Sequence, residues 1–169
     1  MLSDVITLLY IQFVIRGEKT MKILFLDFDG VLNTQEYRDV HGSSGAGIDR
    51  SRLSLIKNIV DTTDAKIVLI TSLREYWDKS PDKCDYFGKV INEIFAEYGL
   101  EIYDKTPVSK SGERVDEILE WIVDNPGIKN YVVIDDNDLK VSFLYKNFVQ
   151  PKDGIEQEHA EKAVEILSR

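Results

Sequence analysis

Three short, almost unbroken apolar runs set the limits on how this chain folds: KILFLDF at residues 22–28, KIVLIT at 66–71 and YVVID at 131–135. Runs of this length without polar alternation suit strands covered on both faces, as inside a parallel sheet, rather than the half-exposed strands of an antiparallel one. Between them lie longer stretches with apolar residues at helical spacing. IDRSRLSLIKNIVDTT carries Leu53, Ile56 and Val60, with Asp49 placed to cap its start. Tyr86 to Tyr98 carries Val90, Ile91, Ile94 and Phe95 and stops at Gly99. Gly112 to Val123 carries Val115, Ile118, Leu119 and Ile122 and ends before Asn125-Pro126-Gly127. Shorter strands are expected at 100–103 and 147–150, and a last helix from about Glu156 to Leu167. Strands alternating with helices imply crossover units. The expected architecture is α/β, a three-layer Rossmann-like domain with a mostly parallel sheet and helices on both faces.

The 169 residues suit one domain with an ordinary core, placed at 21–169. Ahead of it, Leu8 to Ile15 form an apolar run broken by Gln12, too short to span a membrane. Asp4 and the following RGEKT do not fit a secretory signal. Residues 1–20 read either as an added leader or as an extra edge strand. Twenty-one Lys and Arg against thirty Asp and Glu leave a net charge of −9, which argues against gripping nucleic acid by bulk electrostatics. The same balance admits small anionic substrates where a metal cation supplies local positive charge. The single cysteine, Cys84, allows no internal disulfide and no cysteine cluster for zinc, consistent with a reducing, cytoplasmic setting away from membranes.

Ligands of open parallel sheets bind beyond the carboxyl ends of the strands. Those ends here are Asp27 and Asp29, Thr71 and Ser72, and Asp135 and Asp136. One Asp-Gly after a strand is often only a turn, but three polar strand ends aimed at one crevice point to chemistry.

The run LFLDFDGVLN resembles the first motif of the haloacid-dehalogenase-like hydrolases, in which two aspartates flank one residue after an apolar strand. IVLITS resembles their second motif and YVVIDD their fourth. For the third motif, a Lys or Arg near the start of the preceding helix, Lys110 and Arg114 both qualify; RVDEI favours Arg114 and the more usual Lys favours Lys110. More narrowly, TSLRE, RVDEILEWI and FVQPKDGIEQEHAEKA resemble the domain of this superfamily found in Swiss-army-knife RNA repair proteins, although Leu73 stands where that group tends to carry Trp.

The resemblance implies a Mg²⁺-dependent phosphomonoesterase. Asp27 would be the nucleophile and form an aspartyl-phosphate, and Asp29 the general acid and base. Thr71, with Ser72 as the alternative, would bind a phosphoryl oxygen. Arg114 or Lys110 would hold Asp27 and the transferring group. Asp27, the backbone carbonyl of Asp29, and Asp135 or Asp136 would form an oxygen cage for Mg²⁺. Asp138 reads as a solvated neighbour of that corner, and Arg74 as a contact to a second substrate phosphate or an exposed helical cation.

The stretches between motifs are too short for a cap domain, so the site is expected to be essentially capless and open to a phosphorylated small molecule, a nucleic-acid end or another bulky substrate. A phospho-accepting signalling module resembling a receiver domain is the alternative, although receivers begin with the acid pair with which this chain ends. The Gly/Ser-rich HGSSGAG at 41–47 lacks the Gly-Lys-Ser/Thr of a phosphate loop and reads as a flap or a plain connection. His41 and His159 stand apart from any metal-like cluster. Trp121, Tyr86, Phe87, Phe95 and Tyr98 are expected to pack rather than to stack bases.

Overall fold

The computed structural model describes residues 20–42, 44–139 and 145–169; the reading of residues 1–20 therefore falls, Thr20 apart, outside the described residues. Five strands, β1 (Met21–Leu26), β2 (Lys66–Leu69), β3 (Ile102–Lys105), β4 (Ile128–Ile134) and β5 (Phe148–Val149), form one sheet in the order β3-β2-β1-β4-β5. Every neighbouring pair is parallel. Strand β1 is central, and Ile23, Leu24, Phe25 and Leu26 are all fully buried, which is why its sequence shows no polar alternation.

Successive side chains of β1 still point to opposite faces. Leu24 and Leu26 meet a large cluster built from α2 (Arg50–Thr63), α3 (Tyr86–Glu97) and α5 (Gln157–Ser168). Ile23 and Phe25 meet a smaller one, where α4 (Arg114–Asp124) supplies Ile118 and Trp121. The Trp121 ring packs edge-on against Phe25 with 5.4 Å between centroids. Among the described residues, three helices thus cover one face of the sheet and one covers the other.

Local chemistry fixes the helix ends. The Asp49 carboxylate accepts from the Ser51 amide at 3.0 Å and starts α2, whose buried face is Leu53, Ile56 and Ile59, with Val60 partly buried beside them. Asp85 caps α3 through the amides of Phe87 and Gly88. Gly99 follows α3 with φ +64°, the left-handed backbone glycine adopts without strain. Helix α4 begins at Arg114, two residues later than the spacing suggests, and Leu119 lies on its exposed side.

Several details differ from the sequence reading. A short helix, α1 (Gln35–His41), follows β1 and buries none of its residues, so it leaves no apolar periodicity to read. Ser44–Gly47 forms a 3₁₀ turn with Ala46 and Gly47 buried, so this part of the Gly/Ser-rich segment is anchored. Strand β3 begins at Ile102, because Leu100 packs into the core instead of joining the ladder. Tyr86 is 75% exposed and does not pack as expected, whereas Phe95 is fully buried and Trp77 nearly so.

The segment after β5 closes back on the turn after β1. The Gly154 amide donates to the Gly30 carbonyl at 2.9 Å and the Ile155 amide to the Val31 carbonyl at 2.8 Å. Arg52 donates to the Ile155 carbonyl at 2.7 Å, and Gln150 donates to the Asp136 carbonyl at 2.9 Å.

Candidate active site

Strand order reverses at β1, since β2 and β3 lie on one side of it and β4 and β5 on the other. The crevice beyond the carboxyl ends of β1 and β4 is the natural ligand position in such a sheet. Asp27 and Asp135, the residues that follow these strands, are 3% and 0% exposed. They stand side by side because the ladder continues past the strands: the Asp27 amide donates to the Ile134 carbonyl at 3.0 Å, and the Asp135 amide to the Val149 carbonyl at 3.3 Å.

Arg114 joins these carboxylates. Its Nη1 lies 3.1 Å from Asp27 Oδ2 and 2.6 Å from Asp135 Oδ2. A cation at a helix N-terminus meets an unfavourable dipole, and here two buried anions offset it. Burial works against the Arg114 charge, but Asp27 and Asp135 outweigh it and hold the guanidinium above its usual pKa. Lys110, the other candidate for this position, is exposed and makes no described ion pair with either carboxylate.

Asp27, Asp135 and Asp136 each bring a carboxylate oxygen within 4.8 Å of the others. Burial pushes Asp27 up to about 7; Arg114 pulls it down, and Asp135 and Asp136 push it further up. Asp136 is also raised, by burial first and by Asp135 next. Asn137 braces the pair, donating from its amide to Asp135 Oδ1 at 2.9 Å and from Nδ2 to Asp136 Oδ1 at 2.9 Å. Gly30 is essential to this packing: it has φ +70°, and a Cβ there would run into the Asp136 carboxyl group. Three converging carboxylates against one guanidinium leave negative charge uncompensated, and an all-oxygen donor set suits a hard divalent cation. The residues fit such an ion.

Asp29 lies outside that trio. Its exposed carboxylate accepts from Arg38 Nη1 at 3.0 Å and from Asn33 Nδ2 at 3.2 Å. Asn33 also donates to the Gly47 carbonyl at 2.8 Å and accepts from the Gly30 amide at 3.0 Å, so one buried amide sets the shape of the whole turn after β1. Neither Asn33 nor Arg38 was assigned a role from sequence. Asn33 sits inside the LFLDFDGVLN run and could have been questioned there, whereas Arg38 carries no local signal.

Thr71 is fully buried just past β2, and its hydroxyl accepts from the Leu73 amide at 3.4 Å at the start of a 3₁₀ turn, Ser72–Tyr76. The ladder runs on past Leu26 and Leu69, the Ile70 amide donating to the Leu26 carbonyl at 3.1 Å, so Ile70 lies beside Asp27 and Thr71 one residue further along. Ser72 is exposed. Arg74 is not at a substrate surface but 5% exposed, with its Nη2 held 2.6 Å from Glu117 Oε2. Its remaining donors serve the carbonyls of Ile70, Thr71, Thr106 and Pro107. It therefore ties the ends of β2 and β3 to α4, and the second-phosphate reading is not favoured by its surroundings. Asp138 is exposed beside the acid pair.

The histidines lie elsewhere. His41 stacks on Tyr37, and His159 accepts from the Glu156 amide as half of a capping box on α5. Glu156, Glu158 and His159 also lie close together, but Glu156 and His159 are committed to that cap.

The family described as the HAD domain in Swiss Army Knife RNA repair proteins matches residues 23–160, and the chain belongs to it. That membership makes it one of a group of phosphatase-type hydrolases. No curated protein matches the chain. Among the described residues no helix is long and apolar enough to cross a membrane.

Proposed function

We propose that this protein is a Mg²⁺-dependent phosphomonoesterase working through an aspartyl-phosphate on Asp27. The observation that carries this reading is the buried Asp27 carboxylate, set between Arg114 and the Asp135/Asp136 pair at the topological switch of the sheet. Asp27, Asp135 and Asp136 would hold the metal, which when bound neutralises the substrate phosphate and favours the ionised nucleophile. An Asp27 oxygen attacks phosphorus, and the bond from phosphorus to the leaving oxygen breaks as Asp29 delivers a proton to that oxygen. Asp29, now a carboxylate, takes a proton from water as its oxygen attacks phosphorus; the bond from phosphorus to Asp27 breaks, phosphate leaves and Asp27 is a carboxylate again. Arg114 keeps Asp27 oriented, and Thr71 supports a phosphoryl oxygen.

From Thr71 to Arg114 the chain is occupied by 3₁₀ turns, α3 and β3, which belong to the sheet and its cover. An open site of this kind accepts bulky substrates, including nucleic-acid ends. We place the enzyme in the cytoplasm, where Cys84, a buried free thiol, stays reduced.

Purified protein assayed against a panel of phosphomonoesters, including phosphorylated RNA and DNA ends, should release phosphate with Mg²⁺ and none with EDTA. Asp29→Asn should lower kcat by roughly 10²- to 10⁴-fold. Stable phosphorylation of Asp27 by a small phosphodonor without turnover would instead support a receiver-like role. Release of phosphate in EDTA at the full rate would sink the metal-dependent reading.

Gly30→Ala tests the metal cage separately. The forced shift of Asp136, together with about 1–2 kcal/mol of backbone strain at positive φ, should raise the Mg²⁺ concentration for half-maximal activity by roughly tenfold or more. An unchanged Mg²⁺ titration would show that Asp136 does not contribute to the cage.

A further inference from the structure

The half-buried Arg38 has no assigned part in the reaction, and its position relative to Asp29 gives it one. Resting on the phosphatase reading, we propose that Arg38 binds a second anionic group on the leaving side of the substrate, so that the site favours phosphomonoesters whose leaving alcohol carries a further negative charge.

The group that protonates the leaving oxygen must lie against the leaving group. Asp29 has that task, and Arg38 Nη1 touches its carboxylate at 3.0 Å, which puts the guanidinium at the same mouth. Arg38 is also preorganised. The same Nη1 donates to Asn33 Oδ1 at 3.1 Å, and Nη2 donates to Gln35 Oε1 at 2.9 Å. Asn33 in turn holds Asp29 and the Gly30 amide, so acid and guanidinium share one scaffold. A guanidinium carries five N–H donors, and these bonds use only part of them.

A purely architectural role explains little of this. Helix α1 buries no residue, so Arg38 does not fasten it to a core. The Arg38 and Asp29 side chains are 33% and 53% exposed, and ion pairs this open contribute at most about 1 kcal/mol to stability. Charge supplies the complementary argument. Asp29 and Asp136 would repel a second anion on the leaving group, and Arg114 is committed to Asp27 and Asp135. Among the described residues, Arg38 is a cation placed to offset that repulsion with charge-assisted, bidentate bonds.

Adenosine 3′,5′-bisphosphate and the two adenosine monophosphates separate the roles. All three release sugar alkoxides that need the same proton, and whichever phosphate leaves the bisphosphate, its leaving group carries the other one. The quantity to read is the ratio of kcat/KM for the bisphosphate to that for the better monophosphate, because it is independent of the fraction of folded enzyme. The ratio should be roughly tenfold or more in the wild type, collapse towards unity in Arg38→Gln and remain intermediate in Arg38→Lys. A wild-type ratio near unity, or one that survives Arg38→Gln, overturns the assignment while leaving the phosphatase reading intact. A wild type that hydrolyses neither these esters nor the wider panel overturns both.

Discussion

Asp27→Asn is expected to abolish phosphate release and, in the absence of metal, to make the protein harder to unfold. The catalytic half of this follows from removing the nucleophile, and the loss should reach at least about 10⁴-fold. The stability half follows from where Asp27 sits. Burial, offset in part by Arg114, raises its pKa from 3.8 to about 7. Between those values the folded protein keeps a proton that the unfolded chain has released. The stabilisation linked to that proton is therefore complete below about pH 4 and is lost as pH rises through 7. Above pH 7 the metal-free protein carries a desolvated charge that an amide would not, a difference of up to roughly 4 kcal/mol. Thermal melts in EDTA at pH 8 should place Asp27→Asn on the order of 5–10 °C above wild type, with the gap closing towards pH 5. Added Mg²⁺ should raise the wild-type midpoint far more than that of the variant. A variant that melts at or below wild type at pH 8 would show that Asp27 is not under this strain.

Arg74→Ala should cause the largest loss of stability, roughly 3–5 kcal/mol, read as a drop in the urea midpoint. Truncation leaves the Glu117 carboxylate, itself 4% exposed, without its cation and removes donors from four backbone carbonyls. Arg74→Lys should recover only part, because one ammonium cannot match a planar fork with several donors. Arg74→Met combined with Glu117→Leu should recover the part due to the unpaired charge, since the charges leave together, while the four carbonyls stay without these donors. Glu117 Oε1 also accepts from the Ser109 amide at 3.2 Å, so the pair shapes the segment leading into Arg114. Phosphatase activity should therefore fall in the single variants even where the fold survives. A midpoint within about 1 kcal/mol of wild type for Arg74→Ala would remove the pair from any account of the fold.

The contrast between these two residues shows what was legible in the sequence. Asp27 was readable because its signal is local: an apolar run buried on both faces must end, and what stands at its end faces the crevice. The same logic exposed Thr71, Asp135 and Asp136, and the parallel sheet itself. Arg74 was not readable, because the observation that defines it is a partner 43 residues away, and a cation in a short polar turn gives no hint of burial. Arg114 and Lys110 were ambiguous for a related reason. Both lie near the start of the same helix, and only the start of α4 at Arg114 decides which cation reaches the carboxylates. Helix α1, with its Arg38, buries nothing and so left no pattern; Tyr86 looked like core only because its spacing matched its buried neighbours.

The bonds from Gly154 and Ile155 to Gly30 and Val31 join the loop after β5 to the turn after β1. During synthesis, β1 and its Asp-x-Asp turn emerge before the other strands, but the segment that clasps the turn, and the Gln150 amide that holds Asp136, emerge only after all five strands. A nascent chain therefore carries its nucleophile long before it has an assembled site. Competence waits for the segment that follows β5, and a chain truncated just before Gln150 would carry every proposed catalytic side chain and no clasp to set them.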